Sequence, residues 1–169
     1  GLAAPAARLI PSLDLRSPIE ETLVLLRGQL EQKRIRVRRL YERTLPQVAG
    51  DPAQLKQLFL NLFMNALEAM EPGGQLTIRL ARGESMGASS LVATVSDTGS
   101  GIPQEMLGKV FDPFVTTKPR GSGLGLAICR GIADAHRATI RVENNTNCRG
   151  TTATIEFAVT EELPAIIRT

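Results

Sequence analysis

The chain has 169 residues, 43% hydrophobic and 22% charged, which fits one domain with a hydrophobic core and does not indicate disorder. Its 20 Lys and Arg against 17 Asp and Glu leave a net charge of +3, too small to indicate a nucleic-acid partner. Cys129 and Cys148 match no disulfide framework or metal-ligand spacing, and neither a membrane-spanning apolar run nor a secretory signal pattern is present. We therefore expect a cytoplasmic domain with reduced thiols, whose parent protein is free to carry a membrane anchor elsewhere.

The N-terminal third predicts a short strand, a helix and a second strand. Residues 1–8 read as a linker or an expression remnant, and 8–15 as an edge strand. Ser17 as N-cap and Pro18 in the first turn predict a helix over 19–33. Residues 35–41 are predicted to form a strand in which arginines alternate with apolar residues. We expect these arginines on the solvent-exposed face of the strand; the alternative is a docking surface for an acidic partner. Residues 45–50 are predicted to be a loop.

The central stretch, residues 54–70, predicts an apolar helix started by an Asp51 cap and Pro52. Asn61 and Asn65 are one turn apart on a polar stripe that spans roughly 80° of the helix surface. Buried amides need hydrogen-bond partners. They therefore indicate either the wall of a polar cleft or caps for neighbouring loops in an ordinary core. The whole stripe consists of Gln54, Gln57, Asn61, Asn65 and Glu68.

The second half of the chain predicts a strand pair, a long connection, a helix and a closing hairpin. Glu71-Pro-Gly-Gly74 ends the central helix. Strands are expected at 75–81 and 90–96 around a turn at 82–89, and at 139–143 and 151–159 around 144–150. The connection at 102–120 is long enough to be functional. A mixed sheet with all helices on one face, a two-layer α/β sandwich, buries the apolar faces most simply.

Two glycine motifs flank the long connection. Asp97-Thr-Gly-Ser-Gly101 is by itself more typical of a tight turn than of a ligand site. The stretch 121–125, Gly-Ser-Gly-Leu-Gly, leads directly into a helix, so its main-chain N–H groups and the helix N-terminus can bind a di- or triphosphate. It is not a P-loop, because no Lys-Ser or Lys-Thr pair follows it, and it does not lie in a βαβ unit.

The Asn-x3-Asn stripe, the Asp-x-Gly-x-Gly motif and the Gly-x-Gly-x-Gly helix start occur in one characteristic order. In this arrangement residues 9–159 strongly resemble the ATP-binding catalytic domain of sensor histidine kinases, within the superfamily shared with gyrase, heat-shock chaperone and mismatch-repair ATPases. Residues 110–118, VFDPFVTTK, resemble the phenylalanine box of nitrogen-regulator-type kinases. The resemblance implies a Bergerat-type two-layer sandwich over about 9–160, with a mixed, mostly antiparallel sheet, three helices on one face, an ATP lid at 102–120 and a C-terminal tail at 161–169.

The resemblance also implies roles for individual residues. Asn65 resembles the family's Mg²⁺ ligand, and Asn61 would face the phosphates or the metal's waters. Asp97 resembles the carboxylate that accepts the adenine amino group, and Thr151 a threonine that reaches the base through water. Gly99 and Gly101 would let the backbone pass close to the base, and Ile102 and Leu126 would pack on its ring. The residues expected around the triphosphate are Gly121, Gly123, Leu124 and Gly125. Lys118 would contact the outer phosphates; the alternative is that it is a solvated loop lysine.

The resemblance favours phosphoryl transfer over hydrolysis. Hydrolases of this superfamily carry a glutamate where this chain has Asn61, and an amide cannot take the proton of an attacking water. The only histidine, His136, fits a capping or packing role, so the phosphoacceptor histidine is expected on a separate domain, in cis or in trans, with a response regulator downstream. A monomer is expected for this domain and a homodimer for its parent. The alternatives are a serine kinase of the anti-sigma-factor type and a non-catalytic ATP sensor.

Overall fold

A computed structural model describes residues 8–115 and 125–159. Within these ranges a five-stranded sheet has the order β2-β4-β5-β7-β6, and β1 pairs separately with β3. Only β2 and β4 run parallel; the other neighbours in the large sheet are antiparallel. The strands are β1 (Ile10–Leu13), β2 (Arg36–Tyr41), β3 (Val48–Gly50), β4 (Gln75–Ser85), β5 (Ala88–Ser96), β6 (Thr139–Asn144) and β7 (Thr151–Ala158).

The helices pack on one another and on the sheet. They are α1 (Arg16–Leu25), α2 (Arg27–Gln32), α3 (Pro52–Ala69) and α4 (Gly125–Ala135), with a 3₁₀ helix at Gln104–Lys109. Helix α3 is central: it contacts α1, α4, β4 and β5. The Asp51 carboxylate accepts hydrogen bonds from the N–H groups of Ala53 and Gln54, so the predicted N-cap is confirmed.

The core lies between α3 and the inner face of the sheet. Phe59 and Phe63 of α3 are fully buried, with ring centroids 5.8 Å apart. The facing strands contribute alternate residues, as the pleat requires. These are Leu76, Ile78 and Leu80 of β4, Leu91, Ala93 and Val95 of β5, and Ala153, Ile155 and Phe157 of β7. The predicted two-layer α/β sandwich is therefore confirmed.

The first helix departs from its prediction in two ways. It begins at Arg16 with Leu15 as N-cap, and the local side-chain bond is from the Arg16 N–H to the Asp14 carboxylate rather than to Ser17. It is also divided at Leu26, where the backbone leaves helical geometry at φ −92° and ψ 1°. Three predicted helices are thus four segments within the described ranges.

Two loops are shorter than predicted. Residues 48–50 form β3, because they pair with the distant strand β1, a contact that local composition does not reveal. The turn expected at 82–89 contracts to Met86 and Gly87, since both adopt positive φ, 51° and 79°, and close a two-residue hairpin.

Candidate functional site

A cleft of about 930 Å³ opens between α3, the segment that follows β5, and the start of α4. It brings together residues from sequence positions 61 to 153. Lys118, Gly121, Gly123 and Leu124 lie outside the described residues, as does the end of the phenylalanine box. The predicted residues that line the cleft are Asn61, Asn65, Asp97, Gly99, Gly101, Ile102, Gly125, Leu126 and Thr151.

Asp97 is a buried carboxylate at one end of the cleft, with 7% of the residue exposed. Its Oδ1 accepts hydrogen bonds from the main-chain N–H groups of Gly99 at 2.8 Å and Thr151 at 3.2 Å. Its Oδ2 accepts none from the residues that the structure describes. Burial raises the pKa of Asp97 above its ordinary value, although the two N–H groups oppose the shift. The site therefore holds a strong acceptor that the described residues satisfy at only one of its two oxygens.

Close main-chain packing around Asp97 requires glycine at two positions. A Cβ on Gly99 would lie 2.5 Å from the Ala69 carbonyl oxygen at the end of α3. One on Gly150, whose φ is +113°, would lie 1.9 Å from the Asp97 carbonyl oxygen. The close approach at Gly99 is thus to α3, and the predicted approach of this backbone to a base stays a prediction.

The other end of the cleft joins the two asparagines of α3 to the first residue of α4. The Asn61 Oδ1 accepts from the Gln57 side chain at 2.8 Å, and its Nδ2 donates to the Gly125 carbonyl at 3.4 Å. A Cβ on Gly125 would lie 3.7 Å from the Asn65 Oδ1. The described start of α4 therefore meets the asparagine stripe, and a helix N-terminus favours an anion.

Apolar side chains separate the two polar ends. Ile102, the first residue of the long connection, and Leu126, which follows that connection in the sequence, both line the cleft. Both were predicted to pack on the ring of the base. The sheet contributes a floor that sequence reasoning missed, because single strand residues carry no local signal for a ligand. This floor consists of Val95, Val142 and Ala153. Apolar lining residues beside a buried acceptor fit an aromatic heterocycle with an amino group.

Two consecutive asparagines at the end of β6 were also missed. Asn144 and Asn145 lie in the turn region 144–150, where Asn is expected for conformational reasons alone. The Asn144 side chain bonds both main-chain groups of Ile102, and the Asn145 side chain bonds the Asp97 carbonyl. Only the tertiary structure brings these distant segments together.

His136 is buried and has structural partners. Its Nε2 accepts from the Asp51 N–H at 3.0 Å, and its Nδ1 lies 2.8 Å from the Ile132 carbonyl. The Nδ1–H tautomer satisfies both contacts. The histidine therefore links the end of α4 to the N-cap of α3, as the predicted capping or packing role requires.

Among residues 8–115 and 125–159, no group of three or more His, Cys, Asp or Glu side chains is arranged to hold a metal ion. The amide oxygens of Asn61 and Asn65, which line the cleft, are hard donors of the kind that Mg²⁺ binds. Over the same part of the chain, no helix has the length and apolar character needed to cross a bilayer.

Comparison with known proteins places this geometry in a family. Residues 50–161 match the family described as histidine kinase-, DNA gyrase B- and HSP90-like ATPase. The chain is 37% identical to sporulation kinase A of Bacillus subtilis over 157 residues, 92% of this chain and 25% of that protein. It is 32% identical to the sensor histidine kinase ZraS of Escherichia coli over 158 residues, 94% of this chain and 33% of that protein. The chain thus spans a third or less of the length of these relatives.

Solved structures agree. The catalytic domain of the histidine kinase ThkA superposes with a TM-score of 0.78 at 32% identity, covering 90% of this chain and 97% of that one. Full-length ShkA in complex with AMPPNP superposes with a TM-score of 0.78 at 25% identity, covering 95% of this chain and 34% of that one. The chain therefore belongs to the histidine kinase-, DNA gyrase B- and HSP90-like ATPase family, and it has the fold of a sensor histidine kinase catalytic domain.

Proposed function

We propose that this chain binds Mg-ATP in the cleft and transfers the γ-phosphoryl group to a histidine on a separate phosphoacceptor domain. Its domain boundaries would be about 9–160, with the lid at 102–120. The observation that carries transfer rather than hydrolysis is the amide of Asn61; on the family resemblance, the hydrolases of this superfamily have a glutamate at this position.

Recognition of the base depends on Asp97. The exocyclic amino group of adenine is a donor, and the Asp97 Oδ2 has no other donor among the described residues. Guanine carries a carbonyl oxygen at the equivalent ring position, which would face the carboxylate with two acceptors together. The cleft therefore favours ATP over GTP. Thr151 would contribute a water-mediated contact, and Ile102 and Leu126 would cover the two faces of the ring.

Phosphate binding depends on the opposite end of the cleft. Asn65 would supply an amide oxygen to Mg²⁺, and Asn61 would contact the phosphates or the metal's waters. When bound, Mg²⁺ supplies positive charge that offsets the charge of the phosphate oxygens. The N-terminus of α4 adds its main-chain N–H groups and dipole. We assign Gly121, Gly123, Leu124 and Gly125 to the triphosphate loop and Lys118 to the outer phosphates on the family resemblance.

Transfer rather than hydrolysis follows from the chemistry of the Asn61 side chain. Both ends of the Asn61 amide are engaged, with Gln57 and with Gly125, and an amide does not accept a proton from water. Bound ATP therefore stays intact until a better nucleophile enters. A ring nitrogen of the acceptor histidine forms the new P–N bond, the bond from the γ-phosphorus to the β,γ-bridging oxygen breaks, ADP leaves, and the imidazole proton passes to solvent.

The partners follow from this chemistry and from the relatives. ThkA has been solved in complex with the response regulator protein TrrA; for this chain we propose that phosphate passes from the acceptor histidine to an aspartate of a response regulator. We further propose that this domain is a monomer by itself, that its parent is a homodimer, and that the domain lies in the cytoplasm.

Nucleotide binding is tested first by titration calorimetry with a non-hydrolysable ATP analogue, with and without Mg²⁺. Asn65→Ala is expected to remove the benefit of Mg²⁺ and to weaken the analogue by about tenfold or more, while the affinity for adenosine stays unchanged because adenosine has no phosphates. Absence of binding by the folded wild type would refute the ATP site. Equal loss for the analogue and for adenosine would refute the assignment of Asn65 to the phosphate end.

Transfer is tested by incubating the domain with γ-labelled ATP and the helical phosphoacceptor hairpin of its parent. The expected product carries label that is lost in acid and retained in base, as a phosphohistidine does. Acid-stable label on serine would instead support the anti-sigma-factor-type kinase. Nucleotide binding without transfer to any acceptor would support a non-catalytic ATP sensor.

A further inference from the structure

The end of β6 carries a side chain that replaces a strand partner. The Asn144 Oδ1 accepts a hydrogen bond from the Ile102 N–H at 2.8 Å, and its Nδ2 donates to the Ile102 carbonyl at 2.8 Å. One amide therefore satisfies the donor and the acceptor of a single main-chain residue. Gly101, with φ +80°, permits the approach, since a Cβ there would lie 3.2 Å from the Asn144 Oδ1.

The next residue holds the other side of the same segment. The Asn145 Nδ2 donates to the carbonyls of Asp97 and Arg149, both at 3.1 Å, and its Oδ1 accepts from the Thr152 hydroxyl at 2.5 Å. Asp97 also pairs with β7 through its own N–H, which donates to the Thr151 carbonyl at 2.9 Å. The main chain at Asp97 is thereby held from two directions.

These contacts exceed what the β6–β7 turn needs. The turn already has a main-chain bond from the Asn145 N–H to the Gly150 carbonyl at 2.9 Å. The bonds to Asp97 and Ile102 instead reach a segment more than 40 residues earlier in the chain. Neither asparagine lines the cleft, whereas Asp97 and Ile102 both do. Their effect on a ligand must therefore pass through the residues that they hold.

We propose that Asn144 and Asn145 are positioning residues for the base end of the nucleotide site: together they fix the main chain from Asp97 to Ile102 between the carboxylate and the apolar wall. This inference rests on the proposed function, because it presumes that the base binds at Asp97. It assigns to β6 the task of holding the root of the long connection that begins at Ile102. If this segment were loosened, Asp97 and Ile102 would move apart, and only the contribution of the base to the binding affinity would fall.

The test uses Asn144→Asp in the whole chain. The substitution keeps the size and the acceptor for the Ile102 N–H but removes the donor to the Ile102 carbonyl and places two acceptors together. Asn147→Asp is the matched control, because it adds the same charge in the same turn at an exposed residue with no side-chain hydrogen bond in the described chain. Affinities are measured at a temperature where all three proteins are folded, for a non-hydrolysable ATP analogue, ADP and adenosine.

We expect Asn144→Asp to weaken all three ligands by the same factor, roughly tenfold, the size of effect that one lost hydrogen bond has. The control is expected to change none of them by more than about twofold. Unchanged affinities in Asn144→Asp, or a loss confined to the analogue and ADP, would overturn the inference. A lower melting temperature with unchanged affinities would assign Asn144 a structural role only and would also overturn it.

A second measurement needs no variant and no nucleotide. In the free wild type, the Ile102 amide should exchange with solvent as slowly as the amides within β6, since its N–H is bonded to Asn144. Exchange as fast as that of the exposed turn at 146–149 would overturn the inference even if Asn144→Asp failed to fold. Failure of the wild type to bind any adenine ligand would instead refute the proposed function, so the two failures are distinguishable.

Discussion

Replacing Asp97 by Asn tests the base end of the cleft with the smallest possible change. In the Asp97→Asn variant the side-chain oxygen is expected to remain where Oδ1 is, because the Gly99 and Thr151 N–H groups both require an acceptor there. The new NH₂ group then occupies the position of Oδ2 and faces the adenine amino group, donor against donor. The loss of a hydrogen bond to a charged group costs about 1.5–3 kcal/mol, and the unsatisfied pair adds about 1–3 kcal/mol.

The two costs together amount to at least about 2.5 kcal/mol, which predicts that Asp97→Asn weakens ATP and adenosine by about 60-fold or more, since about 1.4 kcal/mol corresponds to a factor of ten. Titration calorimetry with the non-hydrolysable analogue and with adenosine measures both losses. An affinity within about threefold of the wild type would refute the role of Asp97, because even a cost of about 1 kcal/mol corresponds to about fivefold.

The same variant is expected to stabilise the free protein. Burial raises the pKa of Asp97 above its ordinary value of 3.8, so the folded state favours the protonated form. The stability that this group contributes is therefore complete below pH 3.8 and is lost as the pH rises through its folded-state pKa. The advantage of the amide variant in free energy of unfolding should be small in acid and grow toward neutral pH. A lower melting temperature for Asp97→Asn at about pH 7 would contradict this sign.

Gly150→Ala is expected to lower the free energy of unfolding by several kcal/mol or to prevent folding, because its Cβ would lie 1.9 Å from a carbonyl oxygen. By contrast, the Cβ of Gly28→Ala in α2 meets nothing within 4 Å, so this variant should be more stable by roughly 0.5–1 kcal/mol. Urea denaturation of both variants tests these expectations. His136→Gln keeps an acceptor for the Asp51 N–H at the N-cap of α3, whereas His136→Asn keeps only the bond to the Ile132 carbonyl. The Gln variant should therefore be about 1 kcal/mol more stable than the Asn variant. Equal stabilities would refute the link between the helices. Burial raises the pKa of the Cys129 thiol to about 12, so mass spectrometry after iodoacetamide treatment should find one added group, on exposed Cys148, until the protein is unfolded.

Helix α3 shows how much local sequence can predict. Its cap, its length, its buried face and its polar stripe follow from the helical periodicity and from Asp51, which depend only on neighbours within a few turns. The glycine motifs are local in the same way. The order of the asparagine stripe and the two glycine motifs along the chain was enough to predict the family and most of the residues that line the cleft, from Asn61 to Thr151.

Other features depend on contacts between distant segments. Strand β3 exists because Gly50 pairs with Ile10 of the predicted edge strand, whereas residues 48–50 have no strand signal by themselves. The need for glycine at position 99 comes from the end of α3, not from a ligand. Asn144 resembles any turn asparagine until β6 is paired with β7 and its amide reaches Ile102.

The sequence by itself determined the helices, the strand alternation and the residue types of the site, because these depend on chirality, periodicity and side-chain chemistry within short windows. The tertiary structure decided which main-chain groups those side chains satisfy. Hydrogen bonds between segments more than 40 residues apart form only once the sheet order is set. That is why a role for Asp97 could be predicted from the family resemblance, while the asparagines that hold its surroundings could not be predicted.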